Sequence, residues 1–135
     1  MNNLFFLTPK EEVASIYSDD TLRQTVEKME YHRYSCIPVI DRNGKYAGTI
    51  TEGDILWGLK AMGQMSMKDL ESLSVSLIAR KVDYEPVRVG SNMEDMFEKA
   101  MNQNFVPVVD DQDKFIGLIT RKDIIQYLVE KLKDE

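Results

Sequence analysis

The sequence predicts an α+β protein of two pseudo-symmetric halves, each a small mixed β-sheet with helices packed against it. Two observations support this prediction: one segment occurs twice in the chain, and the same order of β-branched runs and helical segments surrounds each copy. The length adds a constraint, because half of 135 residues buries too little surface to be stable alone. We therefore expect the two sheets to face each other, with repeats at residues 1–65 and 66–135.

The repeat is clearest in the segment GTITEGDI at residues 48–55, which returns as GLITRKDI at residues 117–124. The offset between Gly48 and Gly117 also carries IPVID at residues 37–41 onto VPVVD at 106–110. One offset shared by two separate segments indicates an internal repeat, and such a repeat fixes the architecture. Gly48 and Gly117 lie at strand positions, where a glycine is typical of close backbone approach.

The first repeat reads as strand, helix, strand, strand, helix. Residues 13–17 alternate like a short strand or extended lead-in, and Thr21 can cap the helix that follows. Residues 35–40 form a continuous apolar run typical of a buried strand, in which Pro38 indicates an edge or strand-start position. Asn43-Gly44 predicts a hairpin turn to a strand at 46–51, and a helix at 54–62 follows.

The second repeat begins after a connector at residues 63–77, which includes a short helix at 67–70. Its lead-in is residues 84–89, and Ser91 with Glu94 predicts a capping box. The apolar face of the next helix is predicted to hold Met93, Phe97, Ala100 and Met101. The helix-to-strand passage is two residues shorter than in the first repeat. Strands at 105–109 and 115–120 precede a final helix.

Composition excludes several classes of function. A net charge of −6 argues against a nucleic-acid partner, which requires a basic face. The chain has one cysteine, Cys36, and one histidine, His32, so it offers neither an intrachain disulfide nor metal-ligand spacing. It contains no Ser-His-Asp set, Walker loop or dinucleotide fingerprint. Without these motifs, we expect a protein that is not an enzyme and uses no cofactor. With no apolar run near 20 residues, we expect it to be cytoplasmic and to have no membrane partner.

The repeated motif places a threonine before a helix and an aspartate three residues later, as Thr51 with Asp54 and Thr120 with Asp123. One interpretation is structural, because such a pair caps a helix N-terminus. The other adds a ligand: free N–H groups and the helix dipole suit a phosphate, and a nearby carboxylate can bind a ribose.

These two segments together resemble the tandem CBS domain, or Bateman module. The family pattern is an apolar residue before Pro-Val, a turn, and then Gly-apolar-apolar-Thr/Ser-x-x-Asp/Asn. Both copies fit this pattern, and the resemblance extends over nearly the whole chain. It implies an adenosine-containing ligand bound in clefts between strands and helices, and it implies a homodimer formed through helix faces that carry Trp57, Ile124 and Tyr127.

The resemblance also implies roles for particular residues. Asp54 and Asp123 would bind ribose hydroxyls, and Thr51 and Thr120 would contact phosphate. Adenine would lie near the apolar residues beside the prolines and near the lead-in segments. These base-pocket residues are Ile37, Pro38, Val106, Pro107, Tyr34, Ala14, Tyr84 and Pro86.

The two motifs differ in charge, since Glu52 and Gly53 occupy the positions that Arg121 and Lys122 occupy in the second copy. One interpretation leaves Arg121 and Lys122 pointing to solvent. The interpretation that we favour makes them phosphate ligands, because they lie inside the repeated motif. It predicts that the second site is the main nucleotide site.

Three hypotheses for function remain. The first is a stand-alone sensor that binds AMP, ADP, ATP or a cyclic di-adenosine nucleotide and signals to a separate effector protein. The second is a ligand-free scaffold for dimerisation, in which both motifs are only helix caps. The third, an enzyme with an unrecognised site, has no motif in its favour.

Overall fold

The computed structural model describes residues 3–63, 66–80 and 83–134. Within these residues the fold is α+β, as predicted, with two small mixed sheets and five α-helices. The helices are α1 (Leu22–His32), α2 (Glu52–Met62), α3 (Met67–Glu71), α4 (Met93–Asn102) and α5 (Arg121–Lys133). The strands are β1 (Thr8–Pro9), β2 (Ile16–Tyr17), β3 (Cys36–Ile40), β4 (Tyr46–Thr51), β5 (Val87–Arg88), β6 (Phe105–Val109) and β7 (Phe115–Thr120).

The chain divides into two compact units. The middle unit is Ala14–Asp83, and its sheet has the order β2-β3-β4. The terminal unit combines Met1–Val13 with Tyr84–Glu135, and its sheet has the order β1-β7-β6-β5. In each sheet a parallel pair adjoins an antiparallel hairpin. The predicted boundary after Met65 lies outside the described residues and stays a prediction.

The two hairpin turns are built alike, as the repeat predicts. The Asp41 carboxylate accepts hydrogen bonds from two backbone N–H groups of its own turn, each at 2.9 Å. Asp110 does the same in the terminal unit, and those N–H groups lower the pKa of its carboxyl below the usual value. Gly44 and Asp113 occupy matched positions, and both have positive φ. Each turn therefore combines an aspartate at its start with a left-handed residue near its end.

Pro38 is not at a strand edge or a strand start, so this sequence prediction is wrong. It lies within β3, the central strand of its sheet, opposite Thr49 of β4. Proline is tolerated there because β2, as the structure describes it, pairs only with Val39 and Ile40. No partner strand on that side requires an N–H from Pro38.

The helix starts follow the predicted capping chemistry with one exception. Thr21 and Gln24 form a capping box at α1. At α4 the cap is Asn92, whose side chain accepts from the N–H of Asp95 at 2.8 Å, and not the predicted box of Ser91 with Glu94. The apolar face of α4 also differs from the prediction. Met101 was predicted to lie on this face but is exposed, and Met96 is buried in the core instead.

The N-terminal segment belongs to the terminal unit. A 3-10 helix, Asn3–Phe6, buries Phe6 against Tyr127 with ring centroids 5.2 Å apart, and β1 then pairs with β7. Gly117 permits this pairing, since a Cβ there would collide with the backbone oxygen of Thr8. The predicted close backbone approach at this glycine is confirmed.

Each unit has its own apolar core. In the middle unit the core lies between the sheet and helices α1, α2 and α3, and the buried thiol of Cys36 belongs to β3, as predicted. In the terminal unit it lies between the sheet and helices α4 and α5. None of the helices in the described part of the chain is long and apolar enough to span a membrane.

Candidate functional site

The first motif is a complete capping box at the start of α2. The N–H of Asp54 donates to the hydroxyl oxygen of Thr51 at 3.0 Å, and the N–H of Thr51 donates to a carboxylate oxygen of Asp54 at 3.1 Å. Asp54 is 8% exposed. Its carboxylate therefore already stabilises the helix start, which agrees with the structural interpretation of this motif.

The second motif is only half of such a box. The N–H of Asp123 donates to the Thr120 hydroxyl at 3.1 Å, but the half-buried Asp123 carboxylate makes no hydrogen bond or ion pair to any described residue. A carboxylate accepts up to four hydrogen bonds, so Asp123 keeps this capacity for a ligand. The repeat therefore holds two chemically different aspartates at matched positions.

Arg121 extends away from its own helix start toward the end of α4. Its Nε donates to the carbonyl of Ala100 and its Nη2 to the carbonyl of Gln103, both at 2.9 Å. The neighbouring Lys122 is exposed. The predicted role of these two cations as phosphate ligands, and the predicted ranking of the second site as the main one, stay predictions.

The predicted base-pocket residues fall into two groups. Ile37, Pro38, Val106 and Pro107 are buried in their strands, so a ligand would meet them mainly through backbone atoms. The lead-in residues are tied to the strand starts: the hydroxyl of Tyr34 accepts from the N–H of Ala14 at 3.4 Å, and the hydroxyl of Tyr84 accepts from the N–H of Asn104 at 3.2 Å. Pro86 is exposed.

Gln103 is a buried polar residue that the sequence analysis missed. Its amide oxygen accepts from the N–H of Glu85 at 2.8 Å, and its amide nitrogen donates to the carbonyls of Glu85 and Phe105. It occupies the place that Tyr34 has in the middle unit, where the hydroxyl joins the strand start to the lead-in. A glutamine after a helix has no distinctive spacing, so no sequence signal marks this role.

Each motif aspartate lines a pocket. The pocket at Asp54, about 500 Å³, is lined by Gly53, Asp54, Trp57, Gly58, Ala61, Ala79 and Arg80. The pocket at Asp123, about 300 Å³, is lined by Phe5, Phe6, Leu7, Thr8, Asp123, Gln126, Tyr127 and Glu130. The two pockets are related by the repeat, because four helix positions of the first, at residues 54, 57, 58 and 61, lie 69 residues before four positions of the second.

A third pocket of about 580 Å³ lies between α1, α2 and α3 and is mostly apolar. Leu56 and Met67 line it and are exposed.

Of the residues predicted for a helix-face contact with a second chain, Trp57 is exposed, but Ile124 is buried in the core of the terminal unit. Ile124 is thus unable to serve in such a contact, and this part of the prediction is wrong.

The family model for the CBS domain matches this chain twice, over residues 7–61 and 78–130. Among curated proteins, the inosine-5'-monophosphate dehydrogenase of Methanocaldococcus jannaschii is 28% identical over 116 residues, which is 86% of this chain and 22% of that protein. The chain spans between 20% and 64% of the length of four curated relatives that it matches.

Solved structures share the complete fold. CbpB, in a complex with c-di-AMP, superimposes with a TM-score of 0.85 at 27% identity, over 99% of this chain and 88% of CbpB. A hypothetical conserved protein of Geobacillus kaustophilus has a TM-score of 0.86 at 23% identity, over 97% of this chain and 98% of its own length.

Proposed function

This chain belongs to the CBS domain family, and from that membership we propose that it is a regulatory module that binds an adenine nucleotide. The ligand classes proposed are AMP, ADP, ATP and cyclic di-adenosine nucleotides. We also propose that the chain forms a homodimer in the cytoplasm and passes its ligand state to a separate effector protein, without catalysis of its own.

The observation that carries the proposal is the carboxylate of Asp123, which lines a pocket and has no hydrogen bond or ion pair to a described residue. A ribose offers two adjacent hydroxyl donors, and an unpaired carboxylate is a suitable acceptor for both. Tyr127, Phe5 and Phe6 supply aromatic surface in the same pocket, as sites for small molecules often do. The c-di-AMP complex of CbpB, which has the same fold, supports an adenosine-containing ligand.

The proposed contacts follow the repeated motif. Asp54 and Asp123 bind ribose, and Thr51 and Thr120 lie where a phosphate meets the helix start, with Arg121 and Lys122 as further candidates in the second copy. The lead-in and strand-start residues surround the base. These residues are Ala14, Tyr34, Ile37, Pro38, Tyr84, Pro86, Val106 and Pro107.

The alternative is a ligand-free scaffold, and the complete capping box of Thr51 and Asp54 favours it. In that case both motifs only start helices, and the module serves assembly.

Thermal unfolding with a panel of adenine and guanine nucleotides separates the two functions, because a ligand stabilises the folded state by mass action. At a hundredfold excess over Kd the stabilisation is about 2.7 kcal/mol, which raises Tm by several degrees. An unchanged Tm with every adenine nucleotide would contradict nucleotide binding and favour the ligand-free scaffold. Turnover assays on the same panel test for enzymatic activity.

Asp123→Asn tests the ribose contact directly. It removes the charge from a carboxylate that has no hydrogen bond within the described chain, so the free energy of unfolding should change little. Loss of a charge-assisted hydrogen bond should weaken binding of adenosine and AMP by roughly tenfold at this site in calorimetric titrations. Asp111→Asn, in an exposed turn of the same unit, is the control and should bind as the wild type does. Unchanged affinity in Asp123→Asn would contradict the assignment.

A further inference from the structure

The guanidinium of Arg80 lies against the backbone of β4 in the middle unit. Its Nε donates to the Asp83 carboxylate at 2.5 Å and its Nη2 to the carbonyl of Ala47 at 3.3 Å. A Cβ at Gly48 would lie 2.7 Å from the guanidinium carbon, so the glycine allows the guanidinium to take this position. Nη1 makes no hydrogen bond to a described residue, and the side chain is 27% exposed.

Arg80 lines the pocket at Asp54, and so does the exposed Trp57. The pocket stays open because small residues form its helix side, at Gly58 and Ala61. Gly58 also lets the segment before Arg80 approach α2, since a Cβ there would lie 2.6 Å from the end of the Ile78 side chain. A cation, an aromatic face and a carboxylate therefore border one pocket.

The related pocket at Asp123 is acidic, whereas the pocket at Asp54 carries one charge of each sign. Glu130 stands at the position of Ala61 and Gln126 at the position of Trp57, and neither Lys nor Arg is among the lining residues that the structure describes. Of the two cations in its motif, Arg121 is hydrogen-bonded to carbonyls at the end of α4, and Lys122 is exposed. A phosphate would thus meet two carboxylates and no described cation at Asp123, whereas at Asp54 it would meet one carboxylate and one guanidinium.

We infer that the pocket at Asp54 is the phosphate-binding pocket of this chain, with Arg80 as the cation that selects phosphorylated ligands. This inference rests on the proposed nucleotide function and deepens it. Nη1 has no hydrogen bond to a described residue, and Nη2 keeps a second N–H beside the one it gives to Ala47, so the two nitrogens can donate to a phosphate as arginine does to oxyanions. The indole of Trp57 provides a face on which a base stacks. The assignment reverses the ranking of sites that Arg121 and Lys122 predict from sequence.

Trp57 is the only tryptophan, so its emission reports on this pocket alone. We expect AMP to change the emission of the wild type at lower concentration than adenosine does. Arg80→Gln should weaken the AMP response by roughly tenfold or more, because it removes a charge-assisted contact, and should leave the adenosine response within about twofold. Arg80→Lys keeps the charge but loses the fork, so its AMP response should fall between the two.

Arg88→Gln is the matched control. Arg88 also pairs with a carboxylate and a backbone carbonyl, at Asp113 and Asp110, but it does not line the pocket. Its AMP response should equal that of the wild type, and thermal unfolding checks that each variant folds.

Calorimetry on the same samples distinguishes failure of the phosphate assignment from failure of the proposed nucleotide-binding function. Heat of AMP binding without a change in Trp57 emission, or an unchanged AMP response in Arg80→Gln, overturns the phosphate assignment while the proposed function stands. The absence of both heat and emission change with every adenine nucleotide overturns both.

Discussion

Two glycines at matched positions, Gly48 and Gly117, accommodate different neighbours. At Gly117 the neighbour is the backbone of β1, which completes the sheet of the terminal unit. At Gly48 it is the flexible end of the Arg80 side chain. A backbone strand has no freedom to rotate away from a new methyl group, whereas a side chain does. The same residue type therefore protects a strand pairing in one unit and a pocket wall in the other.

Gly117→Ala should accordingly destabilise the protein more than Gly48→Ala does. Both glycines have positive φ, so the two variants share the cost of backbone strain. The collision with the Thr8 backbone adds an overpacking cost of roughly 1–3 kcal/mol in Gly117→Ala alone. Urea unfolding followed by circular dichroism measures the difference, and equal losses of stability in the two variants would contradict this account.

At the scale of elements, the end of α4 shows how one side chain replaces a cap. Helices α1 and α2 end at left-handed residues, Arg33 and Gly63, whose N–H groups bond the last carbonyls. The shorter passage after α4 leaves no such residue, since Gln103 is extended. Arg121 supplies the donors instead, from the start of α5. It thereby joins the end of one helix to the beginning of another.

Arg121→Ala should therefore lower the free energy of unfolding by roughly 1.5–3 kcal/mol, the range for a hydrogen bond to a charged group. Arg121→Lys should recover little of that loss, because an ammonium lacks the fork that reaches two carbonyls. The adjacent Lys122→Ala is the control and should stay within about 0.5 kcal/mol of the wild type, since its side chain is exposed. A loss in Lys122→Ala as large as that in Arg121→Ala, measured by urea unfolding, would refute the capping role.

The sequence was sufficient for most of the elements but not for the roles of individual cations. The repeated strands, hairpins and helices could be predicted because hydrophobic period, Asn-Gly and capping residues act locally, whereas β1 was not predicted because its pairing with β7 joins residues far apart in sequence. The helix-capping contacts of Arg121 could not, because an arginine beside a helix start has the same local pattern whether it meets phosphate or carbonyls. Arg80 was missed because its position depends on Gly48 and Gly58, which are distant in sequence.

At the scale of the whole molecule, the repeat gives two helices that each expose an apolar residue at the same position. Leu56 on α2 and Ile125 on α5 lie 69 residues apart and are 55% and 52% exposed. Exposed apolar residues that recur at matched positions are typical of an interface. They are better candidates for the proposed dimer contact than Ile124, which is buried.

We predict that the wild type sediments as a dimer at micromolar concentration and that Leu56→Glu combined with Ile125→Glu gives a monomer. Charged side chains at the centre of an apolar contact would be desolvated without partners. Leu77→Glu, at a position that is 59% exposed outside these helices, should remain a dimer. A monomeric wild type, or a dimeric double variant, would exclude this interface.

The pairing of β1 with β7 has a consequence for synthesis on the ribosome. Thr8 pairs with Leu118, so an early strand must wait for a partner 110 residues later, and at about 5–20 residues per second this delay is on the order of ten seconds. The middle unit is one continuous stretch of chain and has all its strands long before then. Its sheet can therefore form while the nascent chain is still growing, whereas the sheet of the terminal unit can close only after β7 has been synthesised.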